Sequence, residues 1–138
     1  MRVLIAAGGT AGHINPALAI AGALKKAAPE AEIHFAGRRE GMEYGLVTRA
    51  GYPFHHIEIA VWHLALSGPR TRRILNEVRP DLVIGCGGYV SGPVVRAAAR
   101  RGIKTAIHEQ NAFPGVTNKL LARDVDLVLA ASAEAVEK

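Results

Sequence analysis

Apolar and polar positions alternate in blocks along the chain, with short β-rich runs giving way to helical stretches from end to end. Residues 2–7 (RVLIAA) form an almost unbroken apolar run, the pattern of a parallel strand buried on both faces. The run breaks at Gly8-Gly9-Thr10-Ala11-Gly12. A helix is expected from about Asn15-Pro16, with Asn15 as N-cap and Pro16 in the first turn, continuing through Leu18, Leu24 and Ala27 to Pro29. The same alternation predicts strands over 32–36, 53–59, 81–85, 104–108 and 126–130. Helices are expected over 40–50, 64–78, 92–101 and 116–123, with another beginning at 132. Gly68-Pro69 must break or restart the helix over 64–78. Strand–helix alternation with right-handed crossovers predicts an α/β fold, a doubly wound parallel sheet in one domain spanning 1–138.

Composition narrows the class. The 138 residues are 49% hydrophobic and 21% charged, which excludes disorder and allows roughly two-thirds of the unfolded surface to be buried. Cys86 is the only cysteine, so no intrachain disulfide exists. No apolar run approaches the ~20 residues of a membrane-spanning helix. The run over 3–7 is too short for a signal-peptide core, and a cytoplasmic protein is expected. The net charge of +5 comes from 17 basic against 12 acidic residues, and 12 of the basic ones are Arg. Guanidinium forks suit carboxylates and phosphates, so an anionic partner is expected. Aromatics are only 5%, with no basic stripe interleaved with stacking residues, which points away from nucleic acid.

In doubly wound sheets ligands bind outside the carboxyl ends of the strands. Four marked segments fall there: residues 8–13, 37–40, 85–93 and 108–115. In the first, small residues let the backbone approach a diphosphate, and a helix N-terminus supplies N–H donors and partial positive charge. Its spacing is not Gly-x-Gly-x-x-Gly, no Lys-Ser/Thr follows, and a tight turn without ligand fits the same residues. His13 closes the loop. An unperturbed imidazole titrates near ~6.5, as a general base requires, although a helix-start histidine bonded to backbone fits as well. His34, His55, His56 and His63 show no ligand spacing, so neither a metal site nor a cofactor is expected.

Gly85, Gly87 and Gly88 imply a close approach to the backbone before Tyr89, and Ser91 is expected to cap the next helix. Tyr89 is placed to hydrogen-bond or stack on a substrate, or to lie at the core edge. Cys86 is expected to be a small buried hydrophobe. His108-Glu109-Gln110-Asn111 puts four hydrogen-bonding side chains at one strand end, fitting a structural network or a hydroxyl-rich ligand such as a sugar. Arg38-Arg39 lies where a dinucleotide-binding sheet reads the ribose, which would favour NADP, or else forms a solvated basic turn.

Three segments together resemble the N-terminal half of the bacterial MurG glycosyltransferase family: GGTAGHINPALAIA, GCGGYVSGP and HEQNAFPGVTNKLLA, in order and spacing, over about residues 1–130. The resemblance implies a GT-B fold of two Rossmann-like domains, of which this is the first. It also implies inverting transfer of N-acetylglucosamine from its UDP form to undecaprenyl-diphosphate-linked muramyl-pentapeptide in peptidoglycan synthesis. No tightly bound catalytic metal is implied. The family's N-terminal domain binds the acceptor at the inner face of the cytoplasmic membrane. A C-terminal domain, outside these 138 residues, holds most of the UDP-sugar, so the chain alone is expected to be inactive.

By the same resemblance, Thr10, Ala11 and Gly12 match the loop near the donor diphosphate, and Asn111 matches a donor-contacting asparagine. His13, Tyr89 and Glu109 match polar residues that act on or position the acceptor. His13 is the expected base for the acceptor's 4-hydroxyl, with Glu109 its competitor if cleft closure raises its pKa. Gly88, Ser91 and Gln110 complete the expected substrate-binding set. Ala11 departs from the family's usual glycine, tolerable if its φ is negative. The stretch between Ile59 and Pro80 is shorter than in the family. Trp62, Leu64 and Leu66, followed by Arg70, Arg72 and Arg73, are expected to meet an anionic membrane surface, or else to form an ordinary helix with a basic face. Two other readings compete: an NADP-binding oxidoreductase module, and a split transferase, which would need a membrane anchor.

Overall fold

The computed structural model describes residues 1–58 and 67–137. Among these residues are six strands: β1 (Arg2–Ala6), β2 (Glu32–Gly37), β3 (Phe54–His56), β4 (Leu82–Gly85), β5 (Lys104–Glu109) and β6 (Leu127–Ala130). They alternate with α1 (Ala11–Ala27), α2 (Met42–Arg49), α3 (Ser67–Val78), α4 (Ser91–Arg100) and α5 (Val116–Leu121). Every pairing is parallel, in the order β3-β2-β1-β4-β5-β6. This is the Rossmann-like doubly wound sheet, and its chain order reverses between β1 and β4.

The unbroken apolar character of β1 follows from its two faces. Val3 and Ile5 pack toward Ala17 and Ala21 of α1 and Val47 of α2. Leu4 and Ala6 face the opposite layer, with Leu75 of α3, Val94 and Val95 of α4 and Leu121 of α5. Each large aliphatic side chain taken from water contributes roughly 1.5–3 kcal/mol, so a polar residue on either face would be costly. Register then sets the site. Ala6 lies opposite both Ala36 and Gly85, and Gly85 opposite Ile107. Hence β1, β4 and β5 end almost level, and their outgoing loops emerge side by side.

The helix expected from Asn15 instead begins at Ala11, with Thr10 as N-cap and Pro16 inside. Proline withholds one N–H, from the Gly12 carbonyl, but the first turn is closed earlier. The Thr10 carbonyl accepts from the N–H groups of both His13 (3.0 Å) and Ile14 (3.2 Å). His13 therefore lies in the first turn of α1. Ala11 is its first residue, and its φ is not positive, so the replacement of glycine there adds no strain. Gly68 and Pro69 fall in the first turn of α3, where a missing N–H removes no helical bond.

The strand expected over 53–59 shortens to Phe54–His56, and the last segment forms a 3-10 turn (Ala133–Ala135) in place of a helix. The expected start of the third helix, at 64–66, lies outside the described residues, and the other boundaries shift by at most two residues. Trp62, Leu64 and Leu66 of the expected membrane patch lie outside the described residues. Of its arginines, Arg70 pairs with Glu58 and Arg73 with Glu77 (2.8 Å), while Arg72 is exposed. No helix among the described residues is long and apolar enough to cross a membrane.

Candidate active site

Three loops meet where the strand order reverses, following β1, β4 and β5. In the first, Gly9 takes a left-handed φ of 94°, which glycine adopts without penalty and which turns the chain into α1. The N–H groups of Ala11 and Gly12, at the start of α1, have no intrahelical acceptor and leave an anion-attracting edge. Thr10, Ala11 and Gly12 are all exposed there.

The His13 ring folds back over this loop. Its Nδ1 lies 3.0 Å from the Gly8 carbonyl and 3.3 Å from Thr10 Oγ1. A carbonyl oxygen only accepts, so Nδ1 carries the proton and Nε2 keeps its lone pair. The backbone-bonded histidine and the base-competent histidine are therefore one arrangement. Nε2 faces the loop after β4. A Cβ added at Gly87 would lie 2.6 Å from His13 Cδ2 and 2.9 Å from Nε2, and one added at Gly88 would strike the Gly8 carbonyl. Both glycines also have left-handed φ, 96° and 80°. The glycines expected to permit a close approach do so: Val95 and Ser91 of α4 crowd Gly85, the His13 ring crowds Gly87, and the Gly8 backbone crowds Gly88.

Ser91, expected to cap α4, makes no capping bond. Its buried hydroxyl accepts from Gly87 N–H (3.0 Å) and has the carbonyls of Ala6 (2.9 Å) and Gly87 (2.8 Å) within reach as acceptors. The end of β1 leaves the Ala6 carbonyl close by, and Ser91 ties the two loops together there. Cys86 is fully buried, and burial pushes its thiol up to about 12, an inert packing residue.

The third loop is built around Glu109, only 3% exposed. One carboxylate oxygen accepts from Asn111 N–H (2.9 Å); the other accepts from Gly115 N–H (3.1 Å) and Asn118 Nδ2 (2.9 Å). Burial alone would raise its pKa, but the bonds from Asn111, Asn118 and Gly115 outweigh burial and hold it below the usual value. In this domain Glu109 is thus held toward its charged form, with both oxygens engaged. Burial lowers the pKa of the preceding His108, an effect that the neighbouring Glu109 charge opposes.

A cavity of about 350 Å³ opens between these loops, lined by His13, Gly88, Tyr89, Glu109, Gln110 and Asn111 together with the first turn of α5. Six of the ten residues singled out from the sequence thus share one cavity. Thr10, Ala11 and Gly12 stand outside its lining, and Ser91 is buried beneath it. Tyr89 is 67% exposed, a ring free to meet a ligand. Gln110 Oε1 is buried with no hydrogen-bond partner among the described residues. A larger groove of about 670 Å³ adjoins it between α4 and α5. That groove is mostly apolar, and Arg96 and Arg100 supply its charge. No group of three or more metal-ligating side chains occurs among the described residues.

Two residues of this region went unnoticed in the sequence. Asn118 bonds both Glu109 and the His108 carbonyl (3.1 Å), and its signal was a polar residue three before Leu121 on the buried face of α5. Glu43, 1% exposed, occupies the core-facing position four before Val47 on α2. Arg38 and Arg39 lie apart from the cavity lining, at the end of β2. The Arg38 N–H donates to Glu43 (2.9 Å), and the Arg39 guanidinium stacks 5.7 Å from the Tyr44 ring.

An open parallel sheet whose glycine loops converge at the reversal of strand order is the architecture of nucleotide- and sugar-nucleotide-handling α/β proteins. The family model for the glycosyltransferase family 28 N-terminal domain matches residues 3–130, and the chain belongs to that family. A relative from Ruminiclostridium cellulolyticum, 50% identical over 93% of this chain, is named UDP-N-acetylglucosamine–N-acetylmuramyl-(pentapeptide) pyrophosphoryl-undecaprenol N-acetylglucosamine transferase. One of the same name from Listeria monocytogenes is 47% identical over 93% of the chain. The chain spans 39% of the length of each. A crystal structure of Acinetobacter baumannii MurG superposes with a TM-score of 0.88 at 34% identity, covering 97% of this chain and 41% of that one. A Neisseria meningitidis UDP-GlcNAc 2-epimerase, at 19% identity and a TM-score of 0.57, shares the fold alone. These likenesses do not favour the NADP-binding module.

Proposed function

We propose that this chain is the acceptor-side domain of an inverting N-acetylglucosaminyltransferase of peptidoglycan synthesis. The donor is UDP-N-acetylglucosamine, and the acceptor is undecaprenyl-diphosphate-linked muramyl-pentapeptide. A C-terminal domain beyond these residues supplies most of the donor site. The observation that carries the reading is the His13 ring, held by Nδ1–H to the Gly8 carbonyl with Nε2 left as acceptor at the cavity. In the reaction Nε2 takes the proton of the acceptor's 4-hydroxyl as its oxygen bonds to the anomeric carbon. The bond from that carbon to the UDP oxygen breaks with inversion, and the electron pair leaves on the diphosphate. The open N–H groups at the start of α1 stabilise that departing charge. Tyr89, Gln110 and Asn111 hold the sugars, and Glu109 keeps the loop that carries them in shape.

The lipid-linked acceptor requires the domain to work at the cytoplasmic face of the membrane, as a peripheral protein. Exposed Arg72 supports contact with an anionic surface. The test joins residues 1–138 to the C-terminal remainder of the Ruminiclostridium relative and measures transfer of labelled N-acetylglucosamine to the lipid acceptor. Transfer by the chimera and none by the 138-residue chain is the expected result. A well-folded chimera without transfer, or a chain that binds NADPH in preference to UDP-sugars, would overturn the reading.

A further inference from the structure

Three glycines, one after β1, one at the end of β2 and one in the loop that follows it, leave room for one side chain. A Cβ added at Gly8 would lie 2.7 Å from Glu43 Oε1, one at Gly37 would lie 2.8 Å from Glu43 Cγ, and one at Gly41 would strike the carboxylate. Glu43 Oε1 accepts the Arg38 N–H at 2.9 Å, and Oε2 is buried with no partner among the described residues. An unpaired, buried carboxylate oxygen is expensive. A side chain that only filled this space would be apolar and free of that cost.

The location gives the cost a use. Gly8 is the residue whose carbonyl fixes the tautomer of His13. A side chain on Gly8 would meet the Glu43 carboxylate and Val90 Cγ2, and one on Gly88 would strike the Gly8 carbonyl, so only glycines let these three loops close on one another. We propose that Glu43 is a positioning residue for His13. Its carboxylate anchors the loop after β2 through the Arg38 N–H, supports the Gly8 peptide from beneath, and so holds the Gly8 carbonyl where it accepts from His13 Nδ1. Without that support the Gly8 peptide shifts, the Nδ1–H bond weakens, and the proton redistributes to Nε2, which then no longer accepts. This assignment rests on His13 being the base, but its structural half is measurable without turnover.

The experiment is nitrogen NMR of the His13 ring in the 138-residue chain, for wild type, Glu43→Gln, Glu43→Ala and Gly8→Ala. Each fold is checked by its amide spectrum. Gln keeps the acceptor for Arg38 and the shape, and should keep Nδ1–H as the main neutral tautomer. Glu43→Ala should raise the Nε2–H fraction severalfold. Gly8→Ala, whose added methyl displaces the carboxylate from the other side, should do the same and stands in if Glu43→Ala does not fold. An unchanged tautomer ratio in the folded variants would overturn the positioning role. Turnover of the chimera carrying the same changes separates the two claims. A tautomer shift with turnover intact would sustain the positioning of His13 and remove His13 as base, whereas a shift accompanied by lower kcat at constant KM supports both.

Discussion

The loops after β1 and β5 border one cavity and treat their titratable side chains in opposite ways. Glu109 has both oxygens occupied by three donors from its own loop and from α5. His13 uses one ring nitrogen to hold the glycine loop and leaves the other uncommitted. A charge that is fully satisfied in the ground state shapes the backbone but has little left for a reaction. A side chain fixed at one atom and bare at another combines position with reactivity. Both were legible as candidates from their place at strand ends, and only the bonding pattern separates them.

The largest expected effect is on turnover. His13→Ala in the chimera should lower kcat by ~10²–10⁴-fold, as loss of a positioned base does, at saturating donor and acceptor. Urea unfolding should meanwhile change by only about 1 kcal/mol, since one neutral bond from a half-buried ring is lost. A change confined to KM would make His13 a binding residue and dissolve the contrast. Glu109→Ala should show the reverse emphasis. Two backbone N–H groups and the Asn118 amide lose a charged acceptor, so the chain should be destabilised by about 3 kcal/mol. Unaltered stability by urea titration would contradict its architectural role.

Acid titration sharpens the same distinction on a smaller scale. The folded pKa of Glu109 lies below its ordinary value of 4.5, so its contribution is complete above that value and is lost as pH falls through the folded one. Wild type should therefore lose stability in that range faster than Glu109→Gln. His55 titrates in a separate window. Burial and the neighbouring His34 hold its pKa below 6.5, an effect the Glu77 charge opposes, so the folded state loses stability as pH falls from 6.5. Its ring lies 2.9 Å from His34, and His55→Gln should flatten that upper part of the curve alone. The smallest effect is an absence of change. Cys86, with its thiol pushed up to about 12, should resist alkylation at pH 8 until the chain unfolds.

Much of the fold was legible because it is local. Apolar runs as short as 2–7, ended by glycines, read as strands buried on both faces followed by turns or close approaches. The start of α1 lies earlier than Pro16 suggests, because a proline fits a helix opening while two N–H groups sharing the Thr10 carbonyl already close the first turn. Ser91 fits a cap because capping is a rule about neighbours, whereas one of the two carbonyls its hydroxyl reaches, Ala6, is 85 residues away. Glu43 and Asn118 escaped for a related reason. A polar residue on a buried helix face is visible in the sequence, but the loop it supports is defined only once the sheet has brought the strand ends level.

The contrast between the two loops is tested most directly by the pH dependence of kcat/KM in the chimera, compared with His13→Ala and Glu109→Gln. If His13 accepts the proton, wild type and Glu109→Gln share an ascending limb on the acid side, and His13→Ala loses it along with most of the rate. An acid limb that survives in His13→Ala and vanishes in Glu109→Gln would assign the proton to the carboxylate instead.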